Sequence, residues 1–142
     1  MRSNAAESVA EVMQKHFVCV APDDSLLEAE VTMRVARLRE LMVLRDGILV
    51  GLLTECPSWG DELRALLRSS RAEAQELLRT RKVGDVMLLG PRSLPPGCPL
   101  DQAAGELLEA GRSSLPVAVP SPSGPLVIGL LTEGSLLRAA YD

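Results

Sequence analysis

Gly51-Leu52-Leu53-Thr54-Glu55 recurs without change as Gly129-Leu130-Leu131-Thr132-Glu133. An identical pentapeptide at two places in a chain of 142 residues marks an internal duplication. Working outward, Val9-Ala10-Glu11-Val12-Met13 is echoed by Val83-Gly84-Asp85-Val86-Met87, Pro22 to Ala29 by Pro96 to Ala103, and Leu41-Met42-Val43 by Leu115-Pro116-Val117. The copies differ by a short insertion near Pro120 to Pro125. The duplication divides the chain into residues 1–70 and 71–142.

The first copy reads as helix, strand, strand, helix. Ser25 with Glu28 three residues later is a capping-box signal, and Leu26, Ala29, Met33 and Ala36 follow at helical spacing. The short apolar runs Leu41 to Leu44 and Ile48 to Leu53 flank Asp46-Gly47, a hairpin signal because both residues tolerate positive φ. Beyond Thr54, Pro57 suits a first helical turn, and Leu63, Leu66 and Leu67 continue one apolar face. The second copy repeats this order: a helix over Leu100 to Leu108 that Gly111 can end, strands over Leu115 to Val119 and Leu126 to Leu131, and a final helix over Glu133 to Ala140. Residues 69–82, with Ala72, Gln75, Glu76, Leu77 and Leu78, predict a helical connector. A copy of about 60 residues buries little surface alone, so docking of the two sheets is expected to complete the core.

Composition excludes several function classes. Phe17, Trp59 and Tyr141 are the only aromatic residues, too few for a stacking platform on single-stranded nucleic acid. The formal net charge is −4, which opposes non-specific attraction to nucleic acid or an anionic membrane. No apolar run is long enough to span a bilayer, and the N-terminus with Glu7 and Glu11 has no signal-peptide pattern. A cytoplasmic location is expected. Cys19, Cys56 and Cys98 form no CxxC pair, so no metal site is expected and all three read as small buried hydrophobes.

Hydrophobic-x-Asp/Glu-Val-Met at Glu11-Val12-Met13 and Asp85-Val86-Met87, Pro22-Asp23-Asp24-Ser25-Leu26, Asp46-Gly47, Gly111-Arg112-Ser113-Ser114-Leu115-Pro116-Val117, and the two Gly-Leu-Leu-Thr segments together resemble the cystathionine β-synthase (CBS) domain in tandem. The resemblance implies an α+β fold of two β-α-β-β-α repeats related by pseudo-twofold symmetry, with two clefts between them and often a disc-like homodimer. It implies a non-catalytic regulatory module that binds AMP, ADP, ATP or S-adenosylmethionine and acts on an effector protein. Read as a whole chain, the sequence would be a stand-alone CBS pair, with no effector domain attached.

The same resemblance supplies candidate ligand contacts. Base contacts are implied near Val20, Met42, Leu94 and Pro116. Thr54 and Thr132 stand just before predicted helices, where a hydroxyl can meet a phosphate or ribose oxygen or can instead cap its own helix. The family places an aspartate three residues after each threonine to hold the ribose hydroxyls; Pro57 and Ser135 stand there, so the second cleft is the better preserved. Ser114 is the equivalent of a ligand-facing polar residue. Arg39, within a group of Arg34, Arg37 and Arg45, and Arg112 beside Ser113 and Ser114 offer charge to a phosphate tail, or simply form solvated surface.

An enzyme is not expected. His16 is the only histidine, no metal-ligand spacing or phosphate-binding glycine loop is present, and Asp23-Asp24 reads as a turn and helix start. The competing reading is a ligand-independent dimerisation or interaction module whose nucleotide sites have degenerated. A nucleic-acid adaptor rests only on local arginines and is opposed by the acidic balance.

Overall fold

The computed structural model describes residues 7–54 and 60–141; Glu55, Cys56 and Pro57 lie outside them. In chain order the elements are α1 (Val9–Val12), β1 (Cys19–Val20), α2 (Leu26–Ala36), β2 (Glu40–Arg45), β3 (Ile48–Thr54), α3 (Gly60–Ser69), α4 (Arg71–Thr80), α5 (Val83–Val86), α6 (Leu100–Ala110), β4 (Ser114–Val119), β5 (Leu126–Thr132) and α7 (Glu133–Tyr141). The class is α+β, as the family resemblance implied. The chain forms two compact units, Val18–Pro91 and Met1–Phe17 with Arg92–Asp142. Neither unit coincides with a sequence copy, because the opening segment of each copy packs with the body of the other.

In the unit Val18–Pro91, α2 starts where the capping box predicts: the Glu28 amide donates to Ser25 Oγ at 3.1 Å and the Ser25 amide donates to the Glu28 carboxylate at 2.9 Å. Two donors that helix geometry would leave unsatisfied are thereby paired. β2 and β3 pair antiparallel and β1 runs parallel to β2. At the hairpin turn Asp46 and Gly47 have φ of 52° and 82°, the left-handed conformations that match the twist of the flanking strands. Val20, Leu26, Ala29, Met33, Leu41, Val43, Leu53 and Val83 form the core. The connector is helical, capped by Ser70, whose Oγ accepts from the Glu73 amide at 3.2 Å. The expected leucine face of α3 buries none of its residues; α3 packs chiefly beside α4.

The other unit repeats this plan on α6, β4 and β5. Its core is Val9, Leu94, Cys98, Ala103, Leu107, Leu115, Val117 and Leu131. Both hairpins carry an irregularity at the same place, between Val43 and Leu44 in one and between Val117 and Ala118 in the other. The inserted loop after β4 closes on Ser121, whose Oγ donates to the Gly124 carbonyl at 2.6 Å.

The opening strands implied by the family resemblance are much reduced. β1 has two residues, and its counterpart is a single parallel bridge from Leu94 to Val117. The Val-x-x-Val-Met segments are one-turn helices: the Met13 amide donates to the Val9 carbonyl at 2.9 Å and the Met87 amide to the Val83 carbonyl at 3.0 Å. The straps they open are anchored alike. In one, the Val9 and Ala10 amides donate to the Cys98 and Pro96 carbonyls at 2.9 and 3.0 Å; in the other, the Val83 and Gly84 amides donate to the Asp24 and Pro22 carbonyls at 2.9 and 2.8 Å. Each strap then exchanges two hydrogen bonds with the neighbouring strand, Gln14 with Leu130 and Leu88 with Leu52. Just before these bridges Met13 lies over Gly129 and Met87 over Gly51, so closely that a Cβ on either glycine would stand 2.8 or 2.7 Å from the methionine Cγ.

The equivalent helices α2 and α6 end in the same left-handed conformation on different residues. α6 stops at Gly111 with φ 66°, whereas α2 stops at Arg37 with φ 58°. A side chain in this left-handed region costs about 1–2 kcal/mol, part of which glycine returns through its freer unfolded chain. Arg37→Gly is therefore expected to raise stability by about 0.5–1 kcal/mol and Gly111→Arg to lower it by about 1 kcal/mol. Urea denaturation midpoints of the two variants should move in opposite directions.

The cysteines depart from their expected role in one case. Cys98 is buried, but Cys19 is exposed on β1, because successive strand residues face opposite ways and Val20 takes the buried side; Cys56 lies outside the described residues. The thiols of both described cysteines are pushed up from their ordinary value, first by desolvation and then by neighbouring carboxylates, Asp24 for Cys19 and Glu106 and Asp101 for Cys98.

Candidate functional site

Ser114, Thr132 and Ser135 converge where the β4–β5 hairpin meets α7. Ser114 and Thr132 are register partners on the two strands, and α7 begins at the residue after Thr132. The Ser135 amide donates to Thr132 Oγ1 at 3.0 Å, so the threonine caps the helix, which was one of its two expected roles. The Glu133 amide donates to the Ser113 carbonyl at 3.1 Å. These bonds satisfy two first-turn donors of α7 and tie the helix to the segment before β4.

Ser135 is only 2 % exposed, and its hydroxyl lies 3.0 Å from that of Thr132. With Ser135 as the donor of that contact, Thr132 Oγ1 accepts twice and keeps its own proton for an outside acceptor. In that arrangement the buried Ser135 supports the hydroxyl of Thr132. Thr54 occupies the equivalent strand end, paired with Glu40 at the end of β3, and Pro57 lies outside the described residues.

The apolar candidates are core residues. Val20 pairs with Val43 and Met42 with Cys19 and Leu52, and both are buried. Leu94 and Pro116 are buried too; the Leu94 amide donates to the Pro116 carbonyl, and the Leu94 carbonyl accepts from the Ala118 amide, both at 2.9 Å. The main chain at Leu94 is therefore spent on β4.

The arginines do not form one cluster. Arg34 on α2 pairs with Glu30 at 3.6 Å across one helical turn, and Arg37 is the helix cap. Arg39 and Arg45, both exposed, stand at opposite ends of six-residue β2, roughly 17–20 Å apart at strand rise. Arg112 lines a depression of about 380 Å³ between α6 and α7, with Ala104, Leu107, Leu108, Glu133, Leu136 and Leu137. Leu108 and Leu137 there are 84 and 70 % exposed. The signal for this groove in the sequence is the i,i+4 spacing of Ala104 with Leu108 and of Glu133 with Leu137. His16 is exposed, and Asp24 makes the turn expected of it, its carboxylate accepting from the Ala21 amide at 2.9 Å. Among the described residues there is no group of three metal-ligating side chains, and no helix is long and apolar enough to cross a membrane.

Comparison with known proteins follows the same outline. No curated protein matches the chain. Among solved structures, CBSX2 from Arabidopsis thaliana is 27 % identical, with 96 % of this chain and 95 % of that one covered and a TM-score of 0.73. CBSX2 has also been solved in complex with AMP, at 27 % identity, 94 and 96 % coverage and a TM-score of 0.69. MJ1225 from Methanocaldococcus jannaschii shares the fold at 21 % identity and a TM-score of 0.75; 95 % of this chain is covered, but it spans only 48 % of that one. The CBS domain profile matches residues 9–56 and 83–142. With both copies matched and the duplicated helix-hairpin-helix plan observed, this chain belongs to the CBS domain family and carries the domain twice.

Proposed function

We propose that this CBS pair is a non-catalytic, cytoplasmic sensing module that binds an adenosine-containing ligand and modulates a partner protein. The observation that carries this reading is the apposition of Ser114 and Thr132 beside the first turn of α7. Two hydroxyls at the positive end of a helix are suited to ribose and phosphate oxygens. The AMP complex of CBSX2, similar over nearly the full length of both chains, supports adenosine as the ligand class. Thr132 donates to the ligand, Ser135 holds its hydroxyl in that role, and Ser114 contributes a second polar contact. The free thiols of Cys19 and Cys98 suit a reducing compartment.

Thermal shift with AMP, ADP, ATP and S-adenosylmethionine tests this reading. A ligand at a hundredfold its Kd stabilises the folded state by about 2.7 kcal/mol, roughly 5–10 °C in Tm for a chain of this size. Thr132→Ala should weaken binding by about tenfold or more, the scale of one hydrogen bond to a charged group, while Thr132→Ser retains it. Thr132→Ala also loses a helix cap worth about 1 kcal/mol; its Tm without ligand is the baseline from which each shift is taken.

A second reading, a ligand-independent interaction module, is favoured by the exposed α6–α7 groove. We assign that face to a second copy of the chain. Its leucines flank Arg112 and Glu133, and a surface bearing one charge of each sign is self-complementary about a twofold axis. Concentration-dependent dimerisation lost in Leu108→Glu, with no shift from any ligand at millimolar concentration, would select this reading over the sensor.

A further inference from the structure

Met13 and Met87 hold equivalent positions that the proposed function does not use. Each thioether rests on a glycine, Gly129 or Gly51, with the Cγ 2.8 or 2.7 Å from where a Cβ would stand. The next residue of each strap closes a pair of hydrogen bonds to the residue after that glycine. These are Gln14 with Leu130, at 2.8 and 2.9 Å, and Leu88 with Leu52, at 2.8 and 2.9 Å. The methionine is therefore the side chain that seats the bridge.

Exposure separates these two from the other described methionines. Met33 and Met42 are buried, whereas Met13 and Met87 are half-buried, each at the edge of its core. A small oxidant from solvent reaches the strap methionines first.

We propose that Met13 and Met87 form a duplicated oxidation-sensitive latch, in which a peroxide converts each thioether to its sulfoxide and frees the strap it holds. In each step the sulfur lone pair attacks one peroxide oxygen and the O–O bond breaks. A sulfur–oxygen bond forms, and the remaining fragment leaves as water or alcohol after proton transfer. The sulfur is oxidised by two electrons and the peroxide reduced by two.

The product does not fit the seat. A sulfoxide oxygen is a strong acceptor, and the nearby main-chain atoms are acceptors too: the Gln14 and Leu88 carbonyls lie 3.0 and 3.1 Å from the same glycine Cβ positions. Added volume meets a glycine with no side chain to move, and added polarity meets oxygens that repel it. Lifting the strap relieves both.

The test treats the full chain with dilute hydrogen peroxide, then with dithiothreitol to return the thiols. Peptide mass spectrometry locates the sulfoxides, and hydrogen exchange follows the Gln14, Leu130, Leu52 and Leu88 amides. The expected result is oxidation of Met13 and Met87 well before Met33 and Met42, exchange at those four amides faster by about tenfold or more, and a Tm lower by roughly 5 °C. Methionine sulfoxide reductases should restore both readings in the same sample, and Met13→Leu with Met87→Leu should abolish the response. Oxidation of the buried pair at the same rate, or full oxidation of Met13 and Met87 with the four amides unchanged, would overturn the latch.

Discussion

Gly129→Val is expected to destabilise the chain by about 3 kcal/mol, the upper part of the range for overpacking a filled site. A Cβ at Gly129 would meet the Met13 side chain, with its Cγ at 2.8 Å and the Gln14 carbonyl at 3.0 Å. The thioether can turn aside, but the carbonyl is half of the Gln14–Leu130 bridge and cannot retreat without breaking it. The two γ-methyls of valine close off the remaining space. Met13→Ala in the same chain should return part of the loss, giving a coupling of about 1 kcal/mol or more in a double-mutant cycle. Gly51→Val with Met87→Ala should behave alike, since Gly51 meets Met87 Cγ at 2.7 Å and the Leu88 carbonyl at 3.1 Å. Urea denaturation measures all of these, and wild-type stability in Gly129→Val would show that the clasp is loose.

Leu131→Ala is expected to cost about 3 kcal/mol, within the range for truncating a buried leucine, because the missing methyls leave a cavity as well as lost transfer energy. Leu131 is fully buried in a core that includes Val9 from the strap and Leu107 from α6, so the cavity opens where three chain segments meet. Against a total of about 5–15 kcal/mol for a typical domain, this is a large loss. Hydrogen exchange should show the Val9 and Ala10 amides losing protection together with β5. Leu126→Ala, on the exposed start of the same strand, should stay within about 0.5 kcal/mol of wild type. Comparable losses at both positions would contradict the assigned core.

Most of the element order was legible because its signals were local. The Ser25–Glu28 box, the Asp46-Gly47 turn and Gly111 each combine a residue type with a backbone demand that few other residues meet. The opening segments were harder to read. In Val9-Ala10-Glu11-Val12-Met13 the apolar spacing fits both one turn of helix and a short strand, and five residues are too few to separate them. Nor does repeat spacing reveal that this segment packs with Arg92–Asp142 rather than with its own copy, since the two strap sequences are nearly alike. At the candidate site, the grouping of Ser114 with Thr132 in one cleft followed from the family resemblance. The burial of Ser135 did not, because the residue types allowed either a ligand contact or a support beneath one. The scattering of Arg34, Arg39 and Arg45 likewise depended on strand length, which proximity in sequence conceals.

The exchange of straps also fixes an order of events on the ribosome. Val9 emerges first, but the core it enters is completed by Leu131, so it waits for most of the chain to be made. Meanwhile the strand bearing Gly51, the seat of the other strap, is finished some thirty residues before Met87 appears. For that interval the nascent chain holds a methionine strap and a vacant glycine seat that are not native partners. Synthesis runs at about 5–20 residues per second, so the mismatch lasts on the order of seconds, far longer than closing a short loop takes. Any non-native occupant of the seat at Gly51 then has to leave before the strap bearing Met87 can close its bridge to Leu52.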